Sequence, residues 1–165
     1  MDYTFYTKQF HSAIAKISKE KFESLGLKVS IEVVLESVAL KVYKPEWAAD
    51  QKAPLDSAGR IFFSVWINDK ALQEEKLYYN IHALKLREFK NHKIASRDFA
   101  QDFRNEFSKY QKGWPNISLK FGPLTLMQGW VSFKPDNMQE NIHELVQHFL
   151  NISFIIDEVL EQYKK

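Results

Sequence analysis

Apolar residues return every three to five positions between Lys8 and Leu25, at Phe10, Ala13, Ile14, Ile17, Phe22 and Leu25. That spacing predicts one amphipathic helix, and Gly26 offers the left-handed residue that ends it. The period then falls to two. Val29, Ile31, Val33 and Leu35 alternate with Ser30, Glu32 and Glu36, and Val38, Leu40 and Val42 carry the alternation past Ser37. This predicts two strands, or one long bent strand, with one face buried. Lys44 to Gly59 has two prolines, Pro45 and Pro54, and no period over its 16 residues. Loops beyond roughly 12 to 15 residues in compact domains are usually functional or disordered, which makes Trp47 inside this one a candidate contact residue.

Alternation resumes at Ile61, Phe63, Val65 and Ile67, opposite Phe62, Ser64 and Trp66. It returns from Lys76 to Arg87, where Leu77, Tyr79, Ile81 and Ala83 oppose Tyr78, His82, Leu84 and Leu86. Both faces of this last segment are largely apolar. It reads as a central strand covered on each side, or as part of a sheet whose second face meets another molecule. Ser96 then reads as the N-cap of a helix carrying Phe99, Phe103, Phe107 and Tyr110 and ending at Gly113. Ile117, Leu119 and Phe121 predict a strand, Gly122-Pro123 a turn, and Leu124 to Phe133 another strand. Pro135, Asp136 and Asn137 introduce the last helix, with Asp136 and Gln139, or Asn137 and Glu140, at capping-box spacing.

That helix has the strongest period in the chain. Met138, Ile142, Leu145, Phe149, Ile152, Ile156, Val159 and Tyr163 form an unbroken heptad seam. Its length of about 40 Å matches the roughly 40 Å diameter expected of a globule this size. The seam suits a helix lying across a sheet, since a coiled coil usually sets charged residues beside it. Phe154 and Ile155 fall off the stripe on opposite sides, so Asn151 to Leu160 is apolar nearly all round. Cover must come from the first helix or from a second copy.

The order αββββαββα predicts a single α+β domain over residues 1–165. It has a mainly antiparallel sheet of five or six strands and three helices, with the long C-terminal helix across one sheet face. This element order resembles the secretion-chaperone-like fold. The resemblance is one of topology, with no shared motif, and it implies a domain that dimerises and holds partner polypeptides.

Composition narrows the picture. The 165 residues are 45% hydrophobic and 27% charged, which excludes disorder for most of the chain and is enough for a full core. Aromatics reach 15%, enough for a thick core or an adhesive face. The absence of Cys excludes disulfides, thiolate metal sites and Cys nucleophiles. Met1 to Phe10 does not read as a secretory leader, and no apolar run approaches the roughly 18 residues of a membrane span. The expected location is cytoplasmic.

Candidate chemistry is sparse. His143 and His148 are five apart, about 140° around a helix, the wrong spacing to share a metal. Glu74-Glu75-Lys76 and Glu88-Phe89-Lys90, with Asp56 and Asp69 upstream, have the Glu-x-Lys form of metal-dependent nucleases, and such tripeptides arise readily by chance in a chain rich in Glu and Lys. His82 and Asn80 share a strand face and can form a small polar site. The glycines stand far apart and form no phosphate-cradling loop. No metal or cofactor is expected. Lys85, Arg87, Lys90, Lys93 and Arg97 form a basic run offset only by Glu88, whereas the final helix is acidic. The overall charge of +2 is low for a nucleic-acid module.

The leading expectation is a cytoplasmic, homodimeric, non-catalytic domain that binds another macromolecule, most plainly a protein. Its contact residues would be Trp47, Phe62, Trp66, Trp130, Phe154 and Ile155. The alternatives are a nucleic-acid binder using the basic run and a small hydrolase or nuclease.

Overall fold

The computed structural model describes all 165 residues. Asp2 caps the first helix, α1 (Tyr3–Ala15), by accepting from the Phe5 amide at 3.0 Å. The chain then leaves helical geometry at Ser18, whose hydroxyl accepts from Lys21 N at 3.3 Å and starts a second short helix, α2 (Lys19–Ser24). The single predicted helix is thus two. Their apolar register is the expected one, because Phe10, Ala13, Ile17 and Phe22 are all buried; Ser18 breaks the backbone by offering a local cap in mid-stripe. Gly26 follows at φ +70°, as its position predicts.

Strands β1 (Lys28–Val34) and β2 (Ser37–Tyr43) pair antiparallel with Val34 opposite Ser37. The intervening turn residues, Leu35 and Glu36, both have positive φ, 50° and 60°. A two-residue hairpin requires this geometry, and Asn-Gly normally supplies it. Leu35, which the alternation had placed in a strand, is therefore at the turn and is 93% exposed. Next come β3 (Arg60–Ile67), a short helix α3 (Asp69–Glu74), β4 (Lys76–Leu84), helix α4 (Ser96–Phe107), β5 (Thr125–Ser132) and the final helix α5 (Met138–Gln162). Helix α3 has no period long enough to be read from the sequence. The residue outside the first turn of α4 is Ala95, with no side-chain cap, so Ser96 is the first helical residue rather than the cap.

The architecture is α+β: one five-stranded antiparallel sheet in chain order β1-β2-β3-β4-β5, with α5 packed against it. The predicted strand at Ile117–Phe121 contributes only an isolated bridge, Ser118 to Gln128. Helix α5 lies between α1 and α4. This flanking explains its all-round apolar stretch: Leu150, Ile152, Ile155, Ile156, Val159 and Leu160 are buried within the one chain. No helix is long and apolar enough to cross a membrane.

Rings fill the layer between sheet and helices. Phe63 of β3 stacks on Phe149 of α5, with centroids 4.5 Å apart and 6° between planes, and Trp114 packs against Phe63, Tyr79 and Phe107. Tyr79 reaches across Gly129 of the adjoining strand to donate to Pro115 O at 2.6 Å. A Cβ on Gly129 would stand 2.3 Å from the phenolic oxygen, so glycine is required by that approach. Burial pushes the Tyr79 hydroxyl pKa well above its ordinary value.

Candidate functional site

Strand alternation sends Ile61, Phe63, Val65 and Ile67 toward the helices and Arg60, Phe62, Ser64 and Trp66 the other way. Register extends this second face across the sheet. Ala39, Trp66, Tyr78 and Trp130 form one cross-strand row, and Lys41, Ser64, Asn80 and Gln128 form the next. Phe62, His82 and Thr125 make a third. The three long helices pack on the opposite face.

The first row is a ladder of rings. Trp66 stacks on Tyr78, and Lys76 Nζ sits 4.3 Å from the centre of the Trp130 ring. In the third row, Phe62 lies 5.4 Å from the His82 ring and beneath two cations, Lys41 at 5.0 Å and Arg60 at 5.5 Å. Each such cation–ring contact contributes about 0.5 to 1 kcal/mol near water. Together they order a face that lacks a covering helix.

The charges here are largely matched. Lys41 pairs with Glu32 at 3.0 Å and is only 12% exposed, and Lys76 pairs with Glu74 at 3.4 Å. Arg60 donates to Ser57 O at 2.7 Å. Between the ring rows, Asn80 is 3% exposed and donates weakly to Gln128 at 3.4 Å, while its Oδ1 has no partner. His82 Nδ1 lies 3.4 Å from both Leu124 O and Thr125 Oγ1. Burial lowers the His82 pKa, an effect opposed by the Leu124 carbonyl and reinforced by Lys41 and Arg60.

The six expected contact residues separate. Trp66 and Trp130 are half-buried on the open face. Phe62 shares that face but is only 5% exposed, with Lys41, Arg60 and His82 packed about its ring. Trp47 is fully buried, so the Lys44–Gly59 loop is anchored rather than free. Its indole donates to Asp157 of α5 at 2.8 Å, and Lys44 Nζ binds the same carboxylate at 2.8 Å. Ile155 is also buried, whereas Phe154 is 39% exposed and meets Tyr110 edge-on. Missing from the expected set were Tyr78, Lys76, Lys41 and Arg60. For Lys76 and Tyr78 the signal was present in the even spacing of Lys76, Tyr78, Asn80 and His82 opposite the core positions; Lys41 and Arg60 likewise alternate with the core positions of β2 and β3.

Lys85, Arg87, Lys90, Lys93 and Arg97 are exposed, anchored beneath by buried Leu86, Phe89 and Ile94. Of the five, Arg87 alone has a carboxylate partner, Glu88 at 3.9 Å. The C-terminus pairs with this segment through Lys93 N to Tyr163 O at 2.9 Å and Lys165 N to Asn91 O at 3.0 Å. The acidic helix thus meets the basic run through backbone, and it ends by adding Lys164 and Lys165. Burial, with a hydrogen bond to the Asp102 carboxylate, pushes Tyr163 up to about 12.

Asp56, Glu88 and Lys90 line one cleft of about 830 Å³ between the Lys44–Gly59 loop and the basic segment. No three His, Asp or Glu side chains lie close enough to hold a metal ion there or elsewhere. The other Glu-x-Lys group is held in surface pairs, Glu74 to Lys76 and Glu75 to Lys134. Compared with protein-family models, curated proteins and solved structures, the chain matches none of them.

Proposed function

We propose that this protein is a cytoplasmic, homodimeric binding module that holds another polypeptide on the open face of its sheet. The observation that carries the reading is the row Trp66–Tyr78–Trp130. It sets three large, half-buried rings across three neighbouring strands on the side without a helix. Trp and Tyr dominate protein-binding hot spots because they offer large contact area at little cost in side-chain entropy. The matched charges favour a polypeptide over a phosphate backbone, since Lys41 and Lys76 already have carboxylate partners. Trp fluorescence during titration with a reduced, alkylated polypeptide that cannot fold tests the reading. A saturable emission shift is expected, and an unchanged spectrum counts against it.

A second reading rests on the basic segment, where the C-terminal pairing gathers Lys164 and Lys165 beside Lys90 and Lys93. There the partner is a nucleic acid held through phosphates. Binding of an oligothymidylate that weakens steeply with salt supports it. No retention at low salt removes it.

A further inference from the structure

Strand β1 ends the sheet, and its outer edge is bare. With Val34 opposite Ser37 closing the two-residue turn, the backbones of Lys28, Ser30, Glu32 and Val34 bond to β2. Those of Val29, Ile31 and Val33 point outward. No backbone hydrogen bond outside the β1–β2 ladder involves residues 28–34. Sheets usually guard such an edge with proline, a bulge or projecting lysines. Here the strand is in unbroken register, without proline and rich in β-branched residues, and its one lysine, Lys28, stands at the end of the strand. The opposite edge is treated differently: Ser118 exchanges hydrogen bonds with Gln128, Asn116 donates to Trp130 O, and Arg104 donates to the carbonyls of Thr125 and Leu126.

Beside the bare edge lies an apolar groove of about 440 Å³ between α1, α2 and β1, lined by Ile14, Ile17, Phe22 and Val29. On the same side of the same strand, four residues on, Val33 is 51% exposed. The strand therefore carries a groove at one end and an uncovered apolar side chain at the other.

We infer that a second copy of the chain occupies this edge, joined about a twofold axis through Ile31. Antiparallel pairing on that axis sets Ile31 against its own copy and Val29 against the partner's Val33. The hydrogen bonds come from the three residues whose backbone groups point outward. Val33 of each subunit then stands beside the partner's groove, so each copy gives one plug and receives one, as a twofold contact requires. On the other face, Ser30 lies opposite the partner's Glu32, and Lys28 falls diagonal to it, which brings unlike charges together. The two five-stranded sheets become one sheet of ten strands, and their ring-bearing faces become continuous. The inference deepens the homodimer part of the function proposed above, and the residues that test it, Ile31 and Val33, lie on the helix side of the sheet, away from the ring rows.

Sedimentation equilibrium of the full chain tests it. Wild type is expected to sediment as two 19.5 kDa subunits. Val33→Lys alters an exposed side chain and is expected to weaken the dimer at least about tenfold while circular dichroism stays native. Because the chain has no cysteine, Ile31→Cys supplies a single thiol. Its two copies would lie about 5.5 Å apart at Cα, inside the span a disulfide bridges. Mild oxidation should cross-link Ile31→Cys and leave Lys28→Cys, far from its own copy, largely free. A monomeric wild type at about 100 µM, a dimer indifferent to Val33→Lys, or equal cross-linking of both cysteine variants overturns the arrangement. Loss of polypeptide binding with the dimer intact would instead strike at the open-face reading.

Discussion

The rings of Trp66 and Tyr78 lie face to face on neighbouring strands, with centroids 4.8 Å apart and 13° between planes, on the side of the sheet away from the helices. In the core, such a stack would be one packing contact among many. On an open face it fixes two ring orientations before any partner arrives, which lowers the entropy a binding event must overcome. Trp130 extends the row across the next strand, steadied by Lys76. The three side chains form a prearranged surface whose strand supports belong to the rigid core.

Gly129 sets how closely β5 can approach the Tyr79 ring. Gly129→Ala would drive a methyl group into the phenol, whose oxygen is held by Pro115. Chemical denaturation should show a loss of about 3 kcal/mol. A second change, Tyr79→Phe, trims the clashing oxygen and should restore part of that loss in the double variant.

Asp157 ties the long loop to α5 through Trp47 and Lys44. Asp157→Ala leaves the buried indole N–H without an acceptor and should cost about 2 kcal/mol. The loop should become a site of early proteolysis near Pro54, measurable as faster cleavage in the variant under native conditions.

Stability should fall in mild acid. His82 has a pKa below 6.5 in the folded state because burial disfavours its charged form. Below about pH 6.5 the unfolded chain takes up a proton that the folded chain still refuses. Stability is therefore full above that pH and drains away until the pH reaches the depressed folded value. Replacing the imidazole by His82→Gln should flatten the melting temperature between about pH 7 and pH 5. A remainder should come from His92, whose pKa is lowered by burial and Lys164.

Periodicity made most of the fold legible. The heptad seam of α5 and the alternation in β1 to β5 survive in the structure: the helix-side positions of β2, β3 and β4 are buried, and in β1 the alternation persists although no residue there is fully buried. Helix α3 is too short to show a period, and three other places were hidden for local reasons. Ser18 ends a helix whose apolar stripe continues. Leu35 keeps the strand alternation while its backbone turns, and Leu119 has strand-like neighbours but no ladder beyond the Ser118 bridge. The site was half legible. Trp66 and Trp130 could be placed on a second face, but Trp47 could not be seen as buried until Asp157, 110 positions away, supplied its partner. Pairings of that range leave no trace in spacing.

The open face is tested most directly by calorimetric titration of a reduced, alkylated, permanently unfolded polypeptide into wild type and into the Trp66→Ala, Trp130→Ala double variant. Wild type should bind, and the double variant should lose at least about tenfold in affinity while still melting cooperatively as a dimer. Equal affinity in the two proteins, or no binding by wild type, would contradict the account.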